Sequence, residues 1–214
     1  MSVSGLFLVL FLLFHMSMNL AAVFSTEAYN AICEFLGANW YALAGTLILA
    51  AGVVVHLVYA TVLTLHNRSS RGSQRYAMTA EPEGVTWASW NMYVLGIIIV
   101  LGLLLHLYNF WYNMQFAEII GNHALGPFPP ADGAAYIAAL FSSPVYCIIY
   151  LVWFAAIWFH LTHGFWSAFH TIGWDNQTWL PRLKRIANVV ATIVFLCFAL
   201  VVIVFYLRSL GVCT

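Results

Sequence analysis

"SSPVYCIIYLVWFAAIWFHLTHGFWSAFHTIGW", residues 142–174, carries no charge from Ser142 to Phe159 and then sets His160, His163 and His170 close together. Crossing a bilayer takes about 20 mostly apolar residues at a rise of about 1.5 Å each, and this run is long enough. Imidazole inside hydrocarbon is costly unless its nitrogens are satisfied. The stretch therefore argues for a membrane helix and asks what its histidines hold.

The rest of the chain agrees with a membrane fold. Of 214 residues, 64% are hydrophobic and 7% charged, with a mean hydropathy of +0.90. A soluble domain carries about 25% charged residues, far more than this chain offers to water. Five runs are long and apolar enough to span: about 4–24, 40–65, 87–111, 142–169 and 186–207. The first lacks the basic n-region and small-residue cleavage site of a signal peptide, so it reads as a retained helix. There is no strand pattern, repeat or low-complexity tract, and one membrane domain, 1–214, accounts for the sequence.

The few cations orient it. Arg68, Arg71 and Arg75 follow the second run, and Arg182, Lys184 and Arg185 follow the fourth; Arg208 is the exception. The loops after the first and third runs carry Glu27, Glu34, Glu118 and Asp132 without any Lys or Arg. The positive-inside rule then puts the N-terminus in the cytoplasm and the C-terminus outside. Zero net charge gives no reason to expect nucleic acid. Cys33, Cys147, Cys197 and Cys213 lack zinc or iron–sulfur spacing. Cys33 and Cys213 fall near the same face, either as a disulfide or as two unlinked thiols.

Depth sorts four histidines into two levels. In an up-down threading His15 lies roughly 14 Å short of the outer end of helix one, and His106 about 28 Å above the inner end of helix three. On the descending helices His56 lies about 24 Å and His160 about 27 Å below the outer end. His15 and His106 thus share the outer half, His56 and His160 the inner half. Alternate helices of such a bundle are diagonal partners, and cofactor sites form between their facing side chains. Neutral imidazole ligates iron without carrying charge into the apolar interior. The expectation is two six-coordinate haems, one per level. Gly52, Gly102 and Gly164 lie one turn from His56, His106 and His160 on the ligand faces, where a missing side chain leaves room for a flat macrocycle. Glycine also serves close helix packing, and a lone intramembrane histidine can be a hydrogen-bonded packing residue. His163 could bond a propionate, a quinone or a backbone carbonyl. His66, His123 and His170 fall at helix ends or in loops.

The segments "SGLFLVLFLLFHMSMN", "LAAGVVVHLVYATVLTLHNRSSRG", "GIIIVLGLLLHLYNFW" and "HLTHGFWSAFHTIGW" resemble the di-haem cytochrome b anchor (b558 type) of succinate:quinone oxidoreductases over nearly the whole chain. The resemblance implies five transmembrane helices, the first four an up-down bundle around two haem b groups. His56 and His160 would hold the proximal haem, His15 and His106 the distal one. It further implies a flavoprotein subunit carrying FAD and an iron–sulfur subunit on the cytoplasmic side of a bacterial inner membrane. Quinone, menaquinone in preference to ubiquinone, would be the membrane substrate. On this reading the chain has no catalytic residue for dicarboxylates and acts as the redox subunit of succinate dehydrogenase or fumarate reductase.

Some residues have weaker assignments. Ser4, Arg71, Trp90 and His163 are candidates for propionate or partner contacts, although interfacial arginine and tryptophan also serve topology alone. Glu27 and Glu34 are candidates for the quinone site; a carboxyl there acts as a base if an apolar boundary raises its pKa, and is otherwise a solvated loop charge. Some members of the family place a glutamate two positions before the helix-four ligand, proposed to pass protons; here Trp158 stands there, which argues against that path. The alternatives are a di-haem anchor of another quinone-linked dehydrogenase, of formate dehydrogenase or hydrogenase type, and a haem-free transporter. Against the transporter stand the lack of ionised residues within the spans and of two similar halves.

Overall fold

A computed structural model of the chain describes residues 1–71, 86–174 and 176–212, with the Arg71 side chain excepted. Arg75, Cys213 and the side chain of Arg71 thus lie outside the described residues. Those described form helices α1 (Ser2–Phe24), α2 (Thr26–Phe35), α3 (Trp40–Arg71), α4 (Trp87–Trp90) and α5 (Met92–His106). A π-helical segment, Leu107–Phe116, follows directly, then α6 (Ala117–Ile119), α7 (Gly133–Phe141), α8 (Pro144–Thr171) and α9 (Trp179–Ser209). Among the described residues there is no strand. Five stretches are long and apolar enough to cross a membrane: α1, most of α3, Met92–Ile119, α8 and α9.

Local chemistry sets the joints. Ser25, with extended backbone at φ −153°, ends α1 and caps α2, its hydroxyl accepting the Ala28 N–H at 3.1 Å. Asp132 caps α7 through the Ala135 N–H at 3.2 Å. Pro144 opens α8 at a position where its missing N–H costs nothing. Thr86 caps α4, and the Asn91 amide donates to the Trp87 carbonyl where α4 gives way to α5. In the π segment, where backbone bonds run from residue i to i+5, the Asn113 side-chain amide donates back to two carbonyls, Tyr108 at 3.0 Å and Asn109 at 3.1 Å.

Packing arranges four long helices in a ring: α1 against α3, α3 against α5, α5 against α8 and α8 against α1, with the diagonals outside the main contacts. Neighbours are antiparallel. Gly5 and Gly52 of facing helices lie against His56 and Phe7, and Gly102 and Gly164 against Trp153 and Met92. The fifth span, α9, covers α8 and α1 from outside the ring. It runs parallel to α1, touching it from Phe198 beside His15 to Arg208 beside Ala22. Lipid tails are as apolar as leucine, so these interfaces depend on close packing, which small residues allow. Ala22, Ala187 and Ala191 are fully buried, and Ala22 and Ala191 join Val194, Val202 and Ile137 in the main core cluster.

Candidate functional site: two tiers of paired histidines

The ring of helices brings together the histidines that depth had paired. His15 of α1 and His106, the last residue of α5, face each other with ring centroids 5.7 Å apart and planes at 89°. His56 of α3 and His160 of α8 face each other at 6.4 Å and 69°. Each pair joins diagonal helices. The first tier lies towards the loop-rich end of the bundle, where α2 and α7 sit; the second lies towards the end where the chain begins.

Edge-to-face aromatic contacts fall in the same distance range, so the nitrogens must distinguish packing from ligation. A packing histidine uses its ring nitrogens in hydrogen bonds. In each tier one ring is so held. The Asn19 amide lies 3.3 Å from His15 Nε2, and Asn19 Oδ1 accepts the Tyr29 hydroxyl at 3.2 Å. Ser4 Oγ lies 3.3 Å from His56 Nδ1. The opposite rings differ: His106 Nδ1 and His160 Nδ1 are buried without a hydrogen-bond partner. Leaving such an atom unpaired costs about 1–3 kcal/mol.

The walls are aromatic. Phe11 stacks on His15 at 5.4 Å and Phe198 approaches it from α9. Phe110, Tyr150 and Trp153 surround His106. The glycines expected to leave space beside the histidines meet side chains instead. Phe7 fills the place of a Gly52 Cβ, and the Trp153 indole, donating to the Ile99 carbonyl at 3.1 Å, fills that of Gly102. Only Gly164 is loosely faced, by Met92 Cε at 3.7 Å and His160 Cδ2 at 3.9 Å.

The other candidates fall as follows. Ser4 stands beside His56. His163 is one turn past His160, its Nδ1 buried and unpartnered and its ring 5.0 Å from Trp166, over which Lys184 Nζ lies at 4.7 Å. Trp90 is exposed, on the short helix α4 that packs against α8. Trp158 donates to Thr192 Oγ1 at 3.1 Å, tying α8 to α9.

A cavity of about 150 Å³ opens from His15 towards the loop-rich end, lined among others by Asn19, Tyr29, Cys33, Gln115 and Glu118. Its carboxylate is Glu118, accepting the Ala38 N–H at 2.7 Å. Gln115 Oε1 accepts from Thr46 and Trp111, both at 2.8 Å, while its amide donates to the Gly37 carbonyl at 3.0 Å. Glu27 and Glu34 are exposed and do not line it. Of the two readings of Glu27, the solvated loop charge fits: hydrogen bonds from its own backbone N–H and from the Ser25 hydroxyl hold its pKa below the ordinary value. Glu118 and Gln115 were passed over because Asn109, Asn113 and Gln115 break the apolar run that marks helix three; the signal was their place just beyond His106.

Five helices long and apolar enough to cross a membrane, with two pairs of histidine rings facing one another between them, make this a multi-pass helical membrane protein. No family model, curated protein or solved structure matches the chain.

Proposed function

We propose that this chain is a di-haem cytochrome b that anchors a succinate:quinone oxidoreductase in the membrane and carries electrons between an iron–sulfur subunit and quinone. One observation carries the reading: imidazoles of diagonal helices face one another in two tiers at 5.7 and 6.4 Å. A metal that one nitrogen of each ring would hold needs centroids about 6 Å apart, from two metal–nitrogen bonds of about 2 Å and about 1 Å from each nitrogen to its ring centre. Haem b brings one-electron chemistry at a potential set by its surroundings.

The chain's own residues would do the rest. His15 with His106, and His56 with His160, hold the two groups and keep them in line across the membrane. Asn19 and Ser4 orient the rings they touch, as outer-shell partners do for metal-ligating histidine. Phe11, Phe110, Phe198 and Tyr150 keep water from the tier nearer the loop-rich end. At the opposite end Arg182, Lys184 and Arg185 offer positive charge, and His163 a ring N–H, to propionates or to an acidic face of the partner.

Quinone belongs to the cavity beyond His15. A quinol oxidised there would release two electrons towards the tier at His15 and two protons, one to the Glu118 carboxylate and one to water at the open side of the cavity; Gln115, Asn19 and Tyr29 make the space polar, their N–H and O–H groups being engaged by neighbouring oxygens and by His15. At about 150 Å³ the space is smaller than a whole ligand pocket of about 300–1,000 Å³. It takes the polar edge of a quinone ring, with the tail in lipid.

Pyridine-haemochrome analysis of the purified complex tests the reading. Two haem b per chain are expected, falling to one in His106→Ala and to one in His56→Ala, with flavin and iron–sulfur signals co-purifying. A chain without b-type absorbance, or two haems per chain retained in both variants, overturns it.

A further inference from the structure

Arg208 is the one Lys or Arg of the sequence outside the segments that follow the second and fourth apolar runs. It projects at the loop-rich end into an open groove of about 710 Å³ between α1, α2, α7 and α9, lined by Phe24, Glu27, Ala135, Ala138, Phe205 and Arg208. Two guanidinium N–H groups reach the last carbonyls of α1, Ala22 at 3.4 Å and Val23 at 3.0 Å, and the group lies 5.3 Å over the Phe205 ring. Guanidinium has five N–H donors; both these partners are neutral, so the charge and further donors face the groove.

Glu27 supplies the opposite charge. Ser25 Oγ donates to its carboxylate at 2.9 Å and accepts the Ala28 N–H, which fixes the group on the first turn of α2. Those bonds favour its ionised form. Its hydroxyl partner is again neutral. A fixed cation and a fixed anion thus share one groove where two spans end, the depth at which lipid headgroups lie.

We propose that this groove binds the headgroup of an aminophospholipid of the phosphatidylethanolamine type, its phosphate on Arg208, its ammonium on Glu27, and one acyl chain running down past Phe24 and Phe205. A purely anionic lipid meets Glu27 unfavourably. A choline headgroup keeps the phosphate but has no N–H to give the carboxylate. The inference needs only that the chain spans a bilayer, and stands apart from the haem reading.

The purified full-chain protein, delipidated and offered an equimolar mixture of phosphatidylethanolamine, phosphatidylcholine and phosphatidylglycerol, is read by native mass spectrometry. Phosphatidylethanolamine is expected to be retained about tenfold over the other two, the effect of one charge-assisted hydrogen bond. Glu27→Gln is expected to abolish the preference over phosphatidylcholine, and Arg208→Gln to reduce retention of all three. Because Arg208 also closes α1, Arg208→Lys serves where Arg208→Gln does not fold, and it should keep the preference. Equal retention of the three lipids by the unaltered protein, or an undiminished preference in Glu27→Gln, overturns the proposal.

Discussion

At the scale of single residues, Cys33 offers a direct test of the loop-rich end. It lies in the cavity wall with Tyr29, and burial pushes its thiol up to about 11. The thiolate is the nucleophile, so below pH 11 its fraction grows about tenfold per pH unit. In a variant retaining Cys33 alone, iodoacetamide labelling should be slow at pH 8 and still accelerating between pH 9 and pH 10.5, where a thiol of ordinary pKa levels off. Gly102 tests the packing around His106. A methyl there meets the Trp153 indole, so Gly102→Ala should displace it, break its bond to the Ile99 carbonyl and cost about 1–3 kcal/mol, read as a lower thermal midpoint with altered tryptophan fluorescence. Residue by residue, the histidine pairing was legible because depth along a straight helix follows from residue count alone. The neighbours were not. Which side chain turns into the space left by Gly52 or Gly102 depends on Phe7 and Trp153, far away in the sequence.

The helices show a different division. Apolar runs mark where the spans are, but they stop at the first polar cluster, while the backbone does not. Helix α3 continues through "HNRSSR" to Arg71, and α9 begins at Trp179 rather than near 186. Its Arg182, Lys184 and Arg185 ride the first turns with long stems along apolar surface, and Pro181 is tolerated so near the start. The short helices α2 and α7 were missed because neither is long enough to register as a span. Least legible was the π segment after His106, whose amino acids are those of an ordinary amphipathic helix. It sets Gln115 and Glu118 relative to His106. Gln115→Ala removes the bonds to Thr46, Trp111 and Gly37 that this winding aligns, and a drop of about 2–4 kcal/mol is expected at about 1 kcal/mol each, measured as thermal unfolding in detergent; an unchanged midpoint refutes the anchoring role of Gln115.

Across the whole molecule, the four helices bearing paired histidines form the ring, and α9 braces it from outside. Number and alternation of spans followed from composition and length. The bracing did not, because a fifth apolar run can lie against any side of a bundle until specific surfaces choose. Here α8 and α1 choose it, through the buried Ala187 and Ala191 and through Arg208 at the end of α1. Fragments 1–174 and 176–214 expressed together should therefore assemble into a protease-resistant complex, whereas 1–174 alone should be degraded; equal survival of both refutes the brace. The arrangement also has a consequence for biosynthesis. Helix α1 is made well before α9, the neighbour it packs against, so this seam stays half-clasped in the bilayer until α9 has followed it in.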